Sequence, residues 1–142
     1  MVDIHIDYVG DLRTHATHGP SGVALITDAP VDNHGKGGSF SPTDLLASAL
    51  GTCMITVMGI GATKKGIELR GTRVHVKKIM TAELPRRVAR LTTSIVVPAD
   101  VASAIDEASR AWLFQLAETC PVRLSLLPAI DVPLTFTWGE GA

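Results

Sequence analysis

Apolar and polar residues alternate over the first 28 positions: at Ile4, Ile6 and Tyr8, from Leu12 to Thr17, and again at Val23, Leu25 and Thr27. The alternation breaks at Gly10-Asp11 and at Gly19-Pro20-Ser21-Gly22, residue types that favour turns. A period of two with two such breaks predicts an antiparallel meander of three strands. Residues 29–40, Ala-Pro-Val-Asp-Asn-His-Gly-Lys-Gly-Gly-Ser-Phe, carry no apolar period and are long for a plain connection, which marks a functional or mobile loop. At Ser41 the period changes. Ser41 suits an N-cap, Pro42 the first helical position and Asp44 the third, where a carboxylate can answer the cap and the helix dipole. The run from Leu45 to Ile60 has almost no polar face, so the helix it forms is expected to be buried on nearly all sides. Lys64, Lys65 and Gly66 close it. One small domain can hardly wrap such a helix, and a second subunit is the simplest cover.

Alternation returns over 67–82 and 87–97, where Val74, Val76, Leu91, Ile95 and Val97 supply the apolar positions of a long hairpin across Leu84-Pro85. Asp100 is placed to cap a helix over 101–118 with an inner stripe of Val101, Ile105, Ala108, Trp112 and Leu116. Cys120-Pro121 opens another helical segment, and 132–138 reads as a closing strand with Pro133 at its start. No repeat, low-complexity stretch or linker divides the chain, so a single α+β domain over 1–142 is expected.

At 142 residues such a domain buries roughly 68–70% of its unfolded surface. The composition is 46% hydrophobic but only 4% aromatic, so Val, Ile, Leu, Ala and Met must build the core. A net charge of −1 gives no global field toward nucleic acid or an anionic membrane. Lys77-Lys78 and Arg86-Arg87 lack the aromatic interleaving of a nucleic-acid face. Asp3, His5 and Asp7 interrupt the opening segment, and the apolar stretches meet Ser, Thr, Lys or Gly before a bilayer is spanned. A soluble cytoplasmic protein without a membrane partner is expected, and there a disulfide is transient and catalytic. His15 and His18 point to opposite faces of a strand and make a poor metal pair, and His34 reads as a solvated loop residue. Gly35-Lys36-Gly37-Gly38 matches no phosphate-binding spacing. Neither a metal nor an organic cofactor is expected.

The chain has two cysteines, Cys53 within the apolar helix and Cys120 at a helix start. Thiol chemistry needs a thiolate. As an N-cap, Cys120 would face unpaired amides and the positive dipole end, whereas Cys53 is mid-helix and needs a cation from elsewhere in the fold. Capping alone therefore ranks Cys120 as the more activated thiol. Both could equally be small apolar fillers. Their separation excludes a Cys-x-x-Cys motif and a zinc ribbon.

Ser-Pro-Thr-Asp-Leu-Leu-Ala-Ser-Ala-Leu-Gly-Thr-Cys-Met (41–54), followed about 65 residues later by Cys-Pro-Val, resembles the OsmC/Ohr family of small hydroperoxide-reducing proteins and their relatives. The resemblance implies an OsmC-like fold, with antiparallel sheets around a long buried central helix, in an intertwined homodimer. It implies that Cys53 attacks the hydroperoxide and becomes a sulfenic acid, that Cys120 resolves it as a disulfide, and that a dithiol reduces the disulfide. This reverses the ranking from capping, so a basic group must reach Cys53. Arg13 matches the family's early-strand arginine. The family's glutamate directly follows the helix-opening proline, where this chain has Thr43, with Asp44 next. Asp44 and Cys53 lie on opposite helix faces, roughly 13 Å apart along the axis. Asp44 could then serve Cys53 only from a neighbouring helix, such as the dimer mate's, and it equally fits a capping acid. The function implied is a thiol-dependent peroxidase of organic hydroperoxides. The alternative, favoured by Thr43, is an OsmC-fold dimer that binds a small apolar or electrophilic molecule with little or no turnover.

Overall fold

The computed structural model describes residues 1–140. The chain forms two compact units, Met1–Leu46 and a second beginning at Ala47. In the first, β1 (Ile4–Gly10), β2 (Arg13–His18) and β3 (Ala24–Asp28) make an antiparallel sheet in that order, the meander expected from the alternation. Register pairs Ile6 with Ala16 and Ala16 with Leu25, which gathers Ile4, Ile6, Tyr8, Ala16 and Leu25 on one face. Ile4, Ile6, Tyr8 and Leu25 are all exposed, so this apolar face is open. Arg13, paired with Asp28, shares the other face with His15 and Ile26.

The β1–β2 turn puts Gly10, Asp11 and Leu12 at φ +90°, +51° and +61°. Two consecutive residues at positive φ fit the twist of a two-residue hairpin, but a leucine there is strained. The turn delivers Arg13 as the first residue of β2. After β3 the glycine-rich loop makes one short 3-10 turn, Val31–Asn33, and folds back on itself. The Gly35 amide donates to the Pro30 carbonyl and the Gly37 amide to that of Ala29. A side chain at Gly35 would overlap the Ala29 carbonyl, which explains that glycine.

Helix α1 (Pro42–Lys64) starts in the first unit and runs into the second. The second unit holds β4 (Arg73–Met80) and β5 (Val88–Pro98), antiparallel as expected, with β6 (Leu134–Glu140) parallel to β5. Leu50, Met54 and Met58 of α1 join Leu91, Ile95 and Val97 of β5 in a fully buried core. At Gly51 the helix closes on β4, where an added Cβ would lie 2.9 Å from Val76. At Gly61 it closes on Trp112 and Leu116.

Two expectations need correction: that no apolar stretch suffices to span a bilayer, and that 101–118 is a single helix. One chain indeed does not wrap α1. Within one chain α1 is buried along a single stripe (Ala47, Leu50, Gly51, Met54, Met58, Gly61, Ala62), while Thr52, Thr56, Ile60 and Thr63 lie exposed on another. The threonines read as apolar because Thr52 and Thr63 return their hydroxyls to the helix's own carbonyls, at Ser48 and Gly59. By length and composition α1 would also suffice to cross a bilayer, against the sequence reading. Its contacts with β4, Trp112 and Leu116 are those of a core helix.

The single helix over 101–118 is two, α2 (Ala99–Ala102) and α3 (Glu107–Glu118). Asp106, not Asp100, caps α3, its carboxylate accepting the Ser109 amide at 2.7 Å. Arg110 fastens the break by donating to the Ala102 and Ile105 carbonyls. The break shifts the buried stripe of α3 to Leu113 and Ala117, and leaves Ala108 exposed.

Candidate functional site

The α3 stripe continues to Cys120, which is fully buried, and α4 (Pro121–Ser125) starts immediately after it. Pro121 takes the first helical position and the Arg123 amide donates to the Cys120 sulfur at 3.5 Å, so Cys120 is the N-cap that its sequence setting predicted. Cys53, on α1, is half-buried. Both thiols are free, and Cys53 is close enough to act on the ionisation of Cys120.

The capping argument ranked Cys120 as the more activated thiol, and its burial removes the advantage that the cap gives it. Burial pushes the Cys120 thiol up; the Arg123 and Val122 amides pull it down, and Cys53 beside it adds to the rise. Two amide dipoles do not replace the water lost on full burial. The Arg123 guanidinium does not help, because Glu118 and the Val132 carbonyl hold it at 3.1 and 2.8 Å. Burial therefore holds Cys120 as the protonated thiol. Because the folded state holds that proton more tightly than the unfolded chain, the stabilisation is complete below the ordinary thiol pKa of about 8.5 and is lost as pH rises beyond it. Urea unfolding between pH 7.5 and 10 should show stability falling with pH, and Cys120→Ala should flatten that fall. An unchanged slope in the variant would place the titration elsewhere.

Arg13 and Asp44 belong to the first unit, and each has its own partner there. Asp44 closes a capping box: its carboxylate accepts the Ser41 amide and hydroxyl at 2.8 and 2.7 Å, and its amide meets the Ser41 hydroxyl at 3.2 Å. This is the capping role its position allowed. Arg13, about two-fifths exposed, lies 3.6 Å from Asp28, whose side chain is 1% exposed. The Gly38 amide donates to the same Asp28 oxygen at 2.8 Å. It is the largest influence holding the Asp28 carboxyl below the ordinary carboxylate range; burial opposes it, and Arg13 and the Lys36 and Ala29 amides assist.

Arg13, Asp28 and Gly38 line a cleft of about 570 Å³ with Val9, Thr14, His15, Ile26 and Ser39. Asp28 was not singled out from the sequence. The signal was available: a hairpin with its turn at Gly19-Pro20-Ser21-Gly22 sets residue 13 opposite residue 28, and a glycine-rich loop follows. His34 sits in that loop at φ +66°. Among the described residues no group of three or more His, Cys, Asp or Glu gathers as metal ligands do.

The family model described as OsmC-like protein matches residues 35–135. Comparison with curated proteins gives no match. Among solved structures, an osmotic stress induced and detoxification response protein from Psychrobacter arcticus 273-4 is 42% identical, with 96% of each chain covered and a TM-score of 0.88. The organic hydroperoxide resistance protein OsmC from Legionella pneumophila shares the fold at 16% identity, covering 96% of each chain with a TM-score of 0.74. An organic hydroperoxide resistance protein from Vibrio cholerae, solved with captopril in one of its active sites, shares it at 14% identity. That match covers 96% of this chain and 90% of the other, with a TM-score of 0.73. The mixed α+β architecture of two sheets and a long helix is thus that of OsmC-fold structures.

Proposed function

The chain belongs to the OsmC-like protein family, and on that premise we propose that it is a thiol-dependent peroxidase of organic hydroperoxides. The observation that carries this reading is the meeting of Cys53 and Cys120, distant in sequence, as two free thiols of unequal burial. Cys53, half-buried on α1, is the one a peroxide can approach. Its thiolate attacks the outer oxygen of the hydroperoxide; the O–O bond breaks, the alcohol leaves with a proton, and Cys53 becomes a sulfenic acid. Cys120 then attacks that sulfur, expelling water and forming the disulfide. An external dithiol reduces this disulfide by exchange, being oxidised itself as both thiols return. Arg13 is the cation proposed to favour the Cys53 thiolate and orient the peroxide.

The whole chain, 1–142, acts as one domain in a cytoplasmic homodimer. The open apolar face at Ile4, Ile6, Tyr8 and Leu25 supports that assembly, since a surface of this kind is normally covered by a partner. Neither metal nor organic cofactor enters these steps. A second reading, a dimer that binds a small apolar or electrophilic molecule with little turnover, is favoured by one observation. Asp44, the acid nearest the position of the family's glutamate, is engaged by Ser41.

Intact mass and free-thiol count, taken on reduced protein before and after one equivalent of an organic hydroperoxide, separate the two. Loss of two hydrogens and of both thiols is expected for the peroxidase. Thiols unchanged after minutes would leave the binding reading.

A further inference from the structure

The Asp28 carboxylate has an unusual setting. Its side chain is 1% exposed, one oxygen takes the Gly38 amide, and the other, Oδ1, is buried with no hydrogen-bond partner. A buried carboxylate with an open acceptor costs stability unless a cation answers it. The cation acting on Asp28 is Arg13, 3.6 Å away. The pair is fixed from three sides. Strand register sets residues 13 and 28 opposite each other, and the strained Asp11-Leu12 turn ends at Arg13. The glycine-rich loop returns to place the Gly38 amide on the carboxylate, while the Asp28 amide donates to the Phe40 carbonyl and the Ala29 amide to that of Leu12. Gly38 is tightly fitted: a Cβ there would lie 3.2 Å from the Asp28 oxygen and 3.7 Å from the Arg13 guanidinium.

We propose that Asp28, held by the Gly38 amide, is the residue that positions Arg13. The inference rests on the role proposed above for Arg13. Asp28 acts through Arg13 and touches no substrate. It fixes the guanidinium at the cleft while leaving it about two-fifths exposed, so part of a planar cation stays open to a ligand. The glycine-rich loop thereby gains a purpose, since it closes over β3 to carry one amide to one carboxylate.

Two readouts test this. The first is the Arg13 Nε–H resonance, which a held guanidinium protects from exchange. It should be visible in the wild type and lost in Asp28→Asn. The second is a double-mutant cycle on kcat/KM for an organic hydroperoxide. Asp28→Asn should lower kcat/KM by about tenfold, the range of directly coupled neighbours, and cause no further loss when Arg13 is already Ala. Gly38→Ala, which keeps both charges, should lower it in the same direction by less. An equal loss in the Arg13→Ala background, or an Arg13 signal unchanged by Asp28→Asn, would overturn the proposal. If the wild type consumes no hydroperoxide, the peroxidase reading fails on its own and the Nε–H signal still decides whether Asp28 holds Arg13.

Discussion

Cys53→Ser is expected to abolish hydroperoxide consumption, with kcat/KM falling by roughly 10³-fold or more, as removal of a nucleophile does when no other group can replace it. A serine hydroxyl is close in size to a thiol, so the core around α1 should be undisturbed. Its pKa lies far above that of a thiol, and it cannot accept the peroxide oxygen as a sulfenic acid. Cys120→Ser should behave differently. The attack on peroxide survives, but no partner expels water from the sulfenic acid. One equivalent of hydroperoxide should add one oxygen to the protein's mass, and excess should drive Cys53 to the sulfinic acid. A single turnover followed by inactivation is the signature expected of this variant. Multiple turnovers in Cys53→Ser would remove Cys53 from the chemistry. Unimpaired cycling in Cys120→Ser would mean that another thiol resolves the intermediate.

This asymmetry was only half legible in the sequence. Capping chemistry is local, so Cys120-Pro121 gave the N-cap position correctly. The protonation preference depends on how deeply the fold buries that cap, and the chain alone does not contain that depth. The three-stranded meander and the β4–β5 hairpin were legible because alternation and turn residues are also local signals. The split between α2 and α3 was missed because the pattern runs smoothly through Ser103–Asp106; the break follows from a better cap at Asp106 and from Arg110 reaching back to two carbonyls. The parallel pairing of β6 with β5 depends on residues far apart in sequence, and alternation does not encode it. Asp28 was overlooked for a related reason. An aspartate at a strand end reads as turn chemistry until the opposing strand brings an arginine to it.

Leu113→Ala should cost about 2–5 kcal/mol of folding stability, the range for emptying a fully enclosed leucine site. Leu113 is 0% exposed and heads the stripe that runs through Ala117 to Cys120 on one side of α3. The site has little capacity to collapse, because Phe114 is already engaged with Phe136 at 5.4 Å and Arg110 secures the helix start through the Ala102 and Ile105 carbonyls. For a domain with a total stability of about 5–15 kcal/mol, this is a large fraction, visible as a fall in Tm on the order of 10 °C. Gln115→Ala, at an exposed position two residues away, should stay within about 0.5 kcal/mol. Urea unfolding of the two variants, read against the wild type, measures the difference directly. Equal effects would mean that α3 does not bury the stripe ending at Cys120. The thiol pair would then lack the rigid support that keeps Cys120 beside Cys53.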